Sequence, residues 1–561
     1  MKASVKAAFD AIVVGSGASG GWAVKRLAEA GMKVALVDAG RPLSDSEFTE
    51  HQPEFELKYR NRAPGIVART RFIQMGTGAC NEFNYKWFCN DLDEPYTTSA
   101  GLPFLWKGRL RVTGGRTVVW GRQSYRLSDL DFKAASFDGY GADWPINYQD
   151  LAPYYDLVED YVGITGVPEG VDELPDGHFQ PPMGLTCAEV LLRERVQKKL
   201  GWRVTLGRSA NLTRPINGRA PCHYCGPCYR GCVTHSYFNS AFTTVRDALQ
   251  TGNCTHMANA MVWKVLMDSS RNRASGVLFA DRNTRQVKEV RGRVVILCAQ
   301  ALESVRILFN SATREYASGL ANSSGALGHY LMDHVFGVGV SGELPDLHAA
   351  SPLTGPHRPD GIYVIRFRNT RRGPRAKDFL RGYGYQGGAG PHFNFRAPGF
   401  GRTFKDGVRD PVIAVHLGGF GECLARWDNY VEMDQRVVDT YGIPVLRIHA
   451  RHGENELAMA KDIVASGMEI LEAAGARNLG AQPAPAPPGS AIHEVGVARM
   501  GGDPRTSVLN SFQQTHDIPN LFVMDGSGFP SSACQNPTLT IMALCVRSCD
   551  YLVREMKRGN L

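Results

Sequence analysis

Apolar residues fall into distinct patterns along this chain, and each predicts a different kind of element. Near the N-terminus, Ile12 to Val14 and Val34 to Val37 are short unbroken apolar runs. Such runs predict strands of a parallel sheet buried on both faces. Between them Trp22, Val24 and Leu27 mark a helix, so the first forty residues read strand, tight turn, helix, strand. "VVILCAQALESVRILFNSA" (294–312) predicts another strand–turn–helix unit. Leu521 to Met524 form a third short run, and a helix is predicted to start at Pro537, a residue suited to the first helical position.

From about residue 342 to residue 480 the pattern changes. "GIYVIRFRN" (361–369) and "PHFNFRA" (391–397) alternate apolar and polar residues, whereas "PVIAVHL" (411–417) is nearly continuous. All three predict strands of a separate sheet. A long helix is predicted from Glu454, burying Leu457, Ala460, Val464, Met468 and Leu471 at spacings of three and four. "QPAPAPPGS" (482–490) is a stiff proline-rich connector back to the first domain. The expected fold class is α/β, α+β overall. A Rossmann-like dinucleotide domain covers 1–345 and 481–561, with substrate-side insertions at about 46–105 and 160–205 and a cysteine loop at 221–240. A sheet-plus-helices substrate domain covers 346–480.

Composition narrows the function classes. The 561 residues carry a net charge of +8. The densest basic group, Arg366 to Lys377, is short and reads as a solvated loop, so no nucleic-acid partner is expected. No apolar run approaches the roughly 20 residues that cross a bilayer. No apolar stretch precedes a small-residue cleavage site near the N-terminus, so no signal peptide is expected. Thirteen cysteines, an odd number, argue against a complete disulfide set.

The turn after the first strand carries Gly15, Gly17 and Gly20 as G-x-G-x-x-G, and Asp38 ends the second strand. Gly15 permits the turn, Gly17 lets backbone approach a pyrophosphate, and Gly20 lets helix pack on strand. The helix N-terminus then faces phosphate, and the acid takes the ribose hydroxyls. An acid at that position disfavours a 2′-phosphate, leaving NAD or FAD. Asp525, Gly526 and the helix start at Asn536, Pro537 and Thr538 look like a second wall for the same cofactor.

Cys222, Cys225, Cys228 and Cys232 follow C-x2-C-x2-C-x3-C, the spacing of bacterial ferredoxins. Four thiolates from one loop can hold a [4Fe–4S] cluster, and three can hold a [3Fe–4S] cluster. Gly226 and Gly231 let the loop bend. Zinc and unrelated thiols are the rival readings, while two disulfides are sterically awkward at this spacing. A one-electron cluster beside a two-electron cofactor suits a one-electron acceptor such as a cytochrome.

Together these motifs resemble the glucose–methanol–choline (GMC) oxidoreductases, nearly end to end. The resemblance rests on "RVTGGRTVVWGRQSYR" (111–126), "DWPINYQDLAPYY" (143–155), the 294–312 unit, "LGHYLMDH" (327–334), "DGSGFP" (525–530) and "NPTLTIMAL" (536–544). It implies an FAD enzyme acting on CH–OH donors. Besides the residues already named, it places Ala39, Gly114, Gly115, Arg116, Thr117, Val118, Val262 and Ala299 around FAD. Some sugar-oxidising members attach FAD through a histidine before the loop tryptophan. Val119 stands there, so FAD is expected to be non-covalent. The resemblance also gives the catalytic pair: His493 as base and Asn536 as donor to the substrate oxygen. Val497 replaces the threonine usual after that histidine. His334 and His516 lie in motif-like stretches and read as structural.

Within the family, the cysteine run resembles large catalytic subunits of the gluconate and fructose dehydrogenase type, and most of all glucoside 3-dehydrogenase. That resemblance implies oxidation of a secondary hydroxyl, at C3 of a glucoside or related sugar. It also implies a small partner subunit, a cytochrome c acceptor, and co-export to the periplasm with a signal-bearing partner; a cytoplasmic location is the alternative. Two other functions stay open: an oxygen-using oxidase without a working cluster, and a non-catalytic flavoprotein scaffold.

Overall fold

The continuous apolar runs become the centre of one sheet. In the computed structural model, which describes residues 8–53, 56, 65–268, 270, 272–347, 358–393, 399–409 and 411–561, β1 (Phe9–Val14) lies between β2 (Val34–Val37) and β8 (Val287–Leu297), parallel to both. Ile12, Val13, Ala35, Leu36 and Val295 to Leu297 are fully buried. The full order is β5 (Cys254–Met257), β2, β1, β8, β7 (Arg273–Asp281), β6 (Ala260–Asp268), with β17 (Leu521–Val523) also paired to β8. The helix Ala18–Glu29 covers this sheet, and the C-terminal helix Thr538–Arg558 packs on it, tied by the Arg26–Asp550 ion pair at 2.6 Å.

A second sheet runs β16 (Arg477–Gln482), β10 (Gly339–Glu343), β13 (Val412–Glu422), β12 (Tyr383–His392), β11 (Ile362–Val364), β4 (Val204–Leu206), with β9 (His334–Val335) on β13. Strands β4, β9 and β10 lie outside 346–480, so this sheet crosses the expected domain boundary. The hairpin β14 (Tyr430–Val438) and β15 (Pro444–His449) lies inside it, yet pairs with β3 (Thr97–Thr98) and buries Val431, Val445 and Ile448 in the core of the first sheet. The substrate half is thus interleaved with the dinucleotide half.

Three sequence expectations change in detail. The helix Glu454–Ala474 buries Met459, Ala460, Ile463, Gly467, Ile470 and Leu471, whereas Leu457 is 46% exposed and Val464 and Met468 only flank the core. Small residues explain the rotated face: a Cβ on Gly467 would lie 2.8 Å from Val340, so this side approaches the sheet most closely. Strand β11 is only three residues long, because Arg366 turns inward to Asp131 at 3.3 Å and Asn369 adopts φ 52°. Strand β12 ends at His392, and residues 394–397 of the third expected strand lie outside the described residues.

Candidate active site

At the C-terminal ends of β1 and β2 the glycine turn forms the floor of a long cavity. Gly15 has φ 95°, and a Cβ there would lie 2.6 Å from the Cys298 carbonyl oxygen. Gly20 packs directly against the Gly15 carbonyl, so it supports the turn from behind. Gly17 has open space where a Cβ would be, and it lines the cavity. Asp38 is buried at the end of β2; Ser16 Oγ donates to it at 2.5 Å and the Gly40 N–H at 3.1 Å. Burial pushes its carboxyl pKa up, and these hydrogen bonds oppose the shift.

Ala39, Gly115, Arg116, Thr117, Val262 and Ala299 line the same cavity, as do Asp525, Gly526, Pro537 and Thr538. Gly114 sits just behind the wall, its N–H donating to Ser16 Oγ at 2.8 Å. Val118 is a correction: it turns away from the cavity into a hydrophobic cluster with Trp87, Phe88 and Leu110. The 3₁₀ turn Gly115–Val118 sends its side chains to different sides. Sequence reasoning missed Arg109, Arg111 and Glu303, which also line this cavity. Arg109 meets Glu303 at 2.6 Å, and Tyr96 Oη donates to the same carboxylate at 2.6 Å. Burial opposes the charge on Glu303, but Arg306, Arg109 and Arg111 hold its pKa well below the usual range.

A second cavity, of about 630 Å³, adjoins the first and shares Arg116, Trp120, His493 and Thr538 with it. Asn536 belongs to this second cavity alone. His493 is half-buried, and its backbone N–H donates to Asp333 Oδ1 at 3.1 Å. Its Nδ1 lies 3.0 Å from His334 Nδ1, and its Nε2 lies 3.4 Å from Asn536 Nδ2. Burial, then His334 and Arg116, lower the His493 pKa well below the ordinary value, so the ring is neutral at neutral pH. His334, expected to be structural, therefore touches the proposed base. His516 stands elsewhere, 3.0 Å from Ser507. On the other side of Asn536, its Oδ1 accepts from Gln386 Nε2 at 2.5 Å.

Of the four clustered cysteines, one reaches the second cavity and one the surface. Cys228 lines the second cavity together with Arg122, while Cys225 opens on a surface recess beside His51 and Pro227. Cys228 and Cys232 are buried, Cys222 and Cys225 half-buried, and all four are free thiols. Left-handed backbone at Tyr224, Gly226 and Gly231 curls the loop around them. The Tyr224 N–H points at Cys222 Sγ, 3.4 Å away. Burial, reinforced by Cys228 and Cys232, pushes the Cys225 thiol up to about 12. Among the described residues, no three His, Cys, Asp or Glu side chains are set to hold a single metal ion.

Comparison with known proteins decides the family. Residues 10–336 and 425–545 match the N- and C-terminal regions of the family described as GMC oxidoreductase. The chain belongs to the GMC oxidoreductases. It is 29% identical to 2-methyl-1,2-propanediol dehydrogenase of Mycolicibacterium austroafricanum, over 97% of this chain and 95% of that protein. It is 26% identical to the fructose dehydrogenase large subunit of Gluconobacter japonicus, over 98% of each chain. It is 28% identical to a C-glycoside 3-oxidase of Arthrobacter globiformis, over 54% of each.

As a GMC oxidoreductase the chain is an FAD enzyme acting on CH–OH donors. Its residues fit the cofactor: the space left by the absent side chain of Gly17 and the buried acid Asp38 are the parts a dinucleotide needs. Val119, on the second cavity's wall, offers no atom for a histidyl link to flavin. Val497, where threonine is usual, is fully buried with φ 61° and presents no hydroxyl. No helix among the described residues is long and apolar enough to cross a membrane.

Proposed function

We propose that this GMC oxidoreductase is a sugar dehydrogenase. It oxidises a secondary hydroxyl, at C3 of a glucoside or related sugar, and passes electrons through an iron–sulfur cluster on Cys222, Cys225, Cys228 and Cys232 to a cytochrome-type acceptor. One observation carries the reading: a single cavity is lined by His493, Asn536 and Cys228. Similarity to a fructose dehydrogenase large subunit and to a C-glycoside 3-oxidase supports the sugar and the carbon.

His493 Nε2 and Asn536 Nδ2 lie 3.4 Å apart, close enough for both to reach one substrate hydroxyl oxygen. The neutral His493 takes the hydroxyl proton, and the Asn536 amide donates to the oxygen as negative charge develops there. Asp333 holds the His493 backbone, so the ring is placed before substrate arrives. FAD, when bound, supplies the two-electron acceptor for hydrogen leaving the carbon. The cluster, when bound, supplies a one-electron outlet.

The cysteine loop supports a cluster by its chemistry: four thiols on one curled loop, with an N–H aimed at one sulfur. A [4Fe–4S] cluster uses all four, and a [3Fe–4S] cluster three. A small partner subunit, a cytochrome c acceptor and periplasmic co-export belong to the same proposal, supported by the large-subunit name of one relative.

The test is an anaerobic screen of glycosides for flavin bleaching, with product analysis and iron determination. Bleaching by a glycoside, a 3-keto product and about four iron per chain are expected for the [4Fe–4S] form. Protein with FAD but no iron, releasing peroxide at the rate of sugar oxidation, would instead establish the oxidase reading that the name of one relative favours. Bound FAD that no alcohol or sugar reduces would leave the scaffold reading.

A further inference from the structure

The catalytic pair lies inside a longer chain of side chains, and a base at His493 sets the proton order along it. His334 is fully enclosed, and its Nδ1 faces His493. Its other nitrogen, Nε2, makes no hydrogen bond, so the two rings communicate through their Nδ1 atoms. A His493 that takes a proton through Nε2 carries its own hydrogen on Nδ1, so His334 Nδ1 accepts. His493 must then donate from its own Nδ1, which leaves its Nε2 bare. Asn536 in turn must present its NH₂ to that nitrogen and its carbonyl oxygen away from it. The next group along is Gln386, whose Nε2 donates to Asn536 Oδ1 at 2.5 Å.

We infer that Gln386 is a positioning residue for catalysis. It touches neither the proposed base nor the reacting carbon. By donating to Asn536 Oδ1 it keeps the Asn536 amide from turning over, so that the NH₂ rather than the carbonyl faces the substrate oxygen. A turned amide would set a carbonyl oxygen against the developing negative charge. Gln386 belongs to β12 of the substrate sheet, whereas His493 and Asn536 belong to the flavin half. The substrate sheet thus orients the catalytic amide as well as walling the cavity. This rests on the alcohol-oxidation reading above.

The test uses full-length protein loaded with FAD and a substrate that bleaches the wild-type flavin. If no alcohol bleaches wild type, the function reading fails and Gln386 is not at issue. Given a substrate, Gln386→Glu and Gln386→Met are compared by stopped-flow flavin reduction across pH 5 to 9. An ionised carboxylate cannot donate, so Gln386→Glu slows the limiting reduction rate at high pH by roughly three- to tenfold, the worth of one hydrogen bond. As pH falls and the new carboxyl gains a proton, it donates again and the rate recovers toward wild type. The Gln386→Glu profile is read against the wild-type profile at each pH, so any titration of His493 cancels. Gln386→Met should be slow at every pH. Limiting rates equal to wild type in both variants would overturn the inference. So would a loss confined to KM, or a Gln386→Glu deficit that does not change with pH, since a role in packing alone predicts those. If Gln386→Glu does not fold, the limiting rate of Gln386→Met alone decides.

Discussion

The two cavities share a wall but are built in opposite ways. The floor of the dinucleotide cavity is local, although its other walls come from distant stretches: Gly15, Ser16, Gly17 and Asp38 belong to one strand–helix–strand unit, and the fold of that unit alone places them. The catalytic cavity is assembled from separate stretches near residues 77–79, 119–123, 226–229, 359, 491–493 and 536–538. None of these makes a site by itself. Cofactor binding therefore depends on backbone conformation at a few glycines, while catalysis depends on side chains brought together by long-range topology. Substitutions on the two sides should fail differently.

The largest effect should come from the catalytic side. His493→Ala should leave FAD bound but slow anaerobic flavin reduction by roughly 10²–10⁴-fold, the usual worth of a general base. In wild type the base has a depressed pKa, so reduction should be flat through neutral pH and fall only well below pH 6.5. Stopped-flow measurement of both proteins checks this. Unchanged reduction in the variant would remove His493 as the base, whereas a wild-type decline centred near pH 6.5 would show only that its pKa is not depressed.

Gly15→Ala tests the other side and should reverse the pattern. A side chain at φ 95°, 2.6 Å from a carbonyl oxygen, costs about 1–3 kcal/mol, or roughly 5- to 100-fold in FAD affinity. With saturating FAD, the flavin reduction rate should stay near wild type. Titration of apoprotein with FAD gives the affinity. Wild-type affinity would show that the turn is more tolerant than its geometry implies.

How much of each side is legible in the sequence follows from the same contrast. Gly15, Gly17 and Asp38 can be read because their spacing is local and each residue type has a conformational or chemical reason. Val118 is misplaced because a loop motif does not say which side each residue faces. Gln386, and the contact between His334 and His493, are not legible, since they arise only when β9 and β12 meet the flavin half. The arginines Arg109 and Arg111 with Glu303 give no local signal either, their partners lying almost two hundred positions apart. The helix Glu454–Ala474 is found from its periodicity, but bulk alone finds only part of the buried face, Ala460 and Leu471, because closeness of packing rotates it.

Cys225→Ser sharpens the comparison within the catalytic side, because it removes a proposed cluster ligand while leaving His493 and Asn536 in place. Serine keeps the size but is a poor iron ligand. Sugar should still bleach the flavin at the wild-type rate, since His493 and Asn536 are untouched. Turnover with a cytochrome acceptor should fall at least about tenfold, and iron content should drop. Metal binding and folding are coupled, so bound FAD and a wild-type circular dichroism spectrum must be confirmed first. A folded variant that has lost iron yet reduces cytochrome normally would end the relay role.

The smallest expected effect is on stability, and it turns on how each side treats a buried acid. Asp38 and Asp525 are buried on the dinucleotide side, but each is hydrogen-bonded by a serine hydroxyl and a backbone N–H. Glu422 is buried beside the catalytic cavity, paired in register with His334, and its Oε2 has no hydrogen-bond partner. Burial raises its pKa to about 7; Arg381 and Arg366 oppose the shift, while Asp131 and Asp138 add to it. A carboxyl whose folded pKa lies above its unfolded value is favoured by folding in the protonated form. Its contribution is complete below the unfolded pKa of roughly 4.3 and is lost as pH rises through about 7. Gln resembles the protonated acid and does not titrate. Glu422→Gln should therefore be more stable than wild type at pH 8, by about 1 kcal/mol, and the gap should close as pH falls toward 5. Thermal melts from pH 5 to 9 measure it, with FAD saturating so that cofactor loss does not contribute. A gap that stays constant or widens at low pH would show that Glu422 is held charged, and that the catalytic side satisfies its buried acids as fully as the dinucleotide side does.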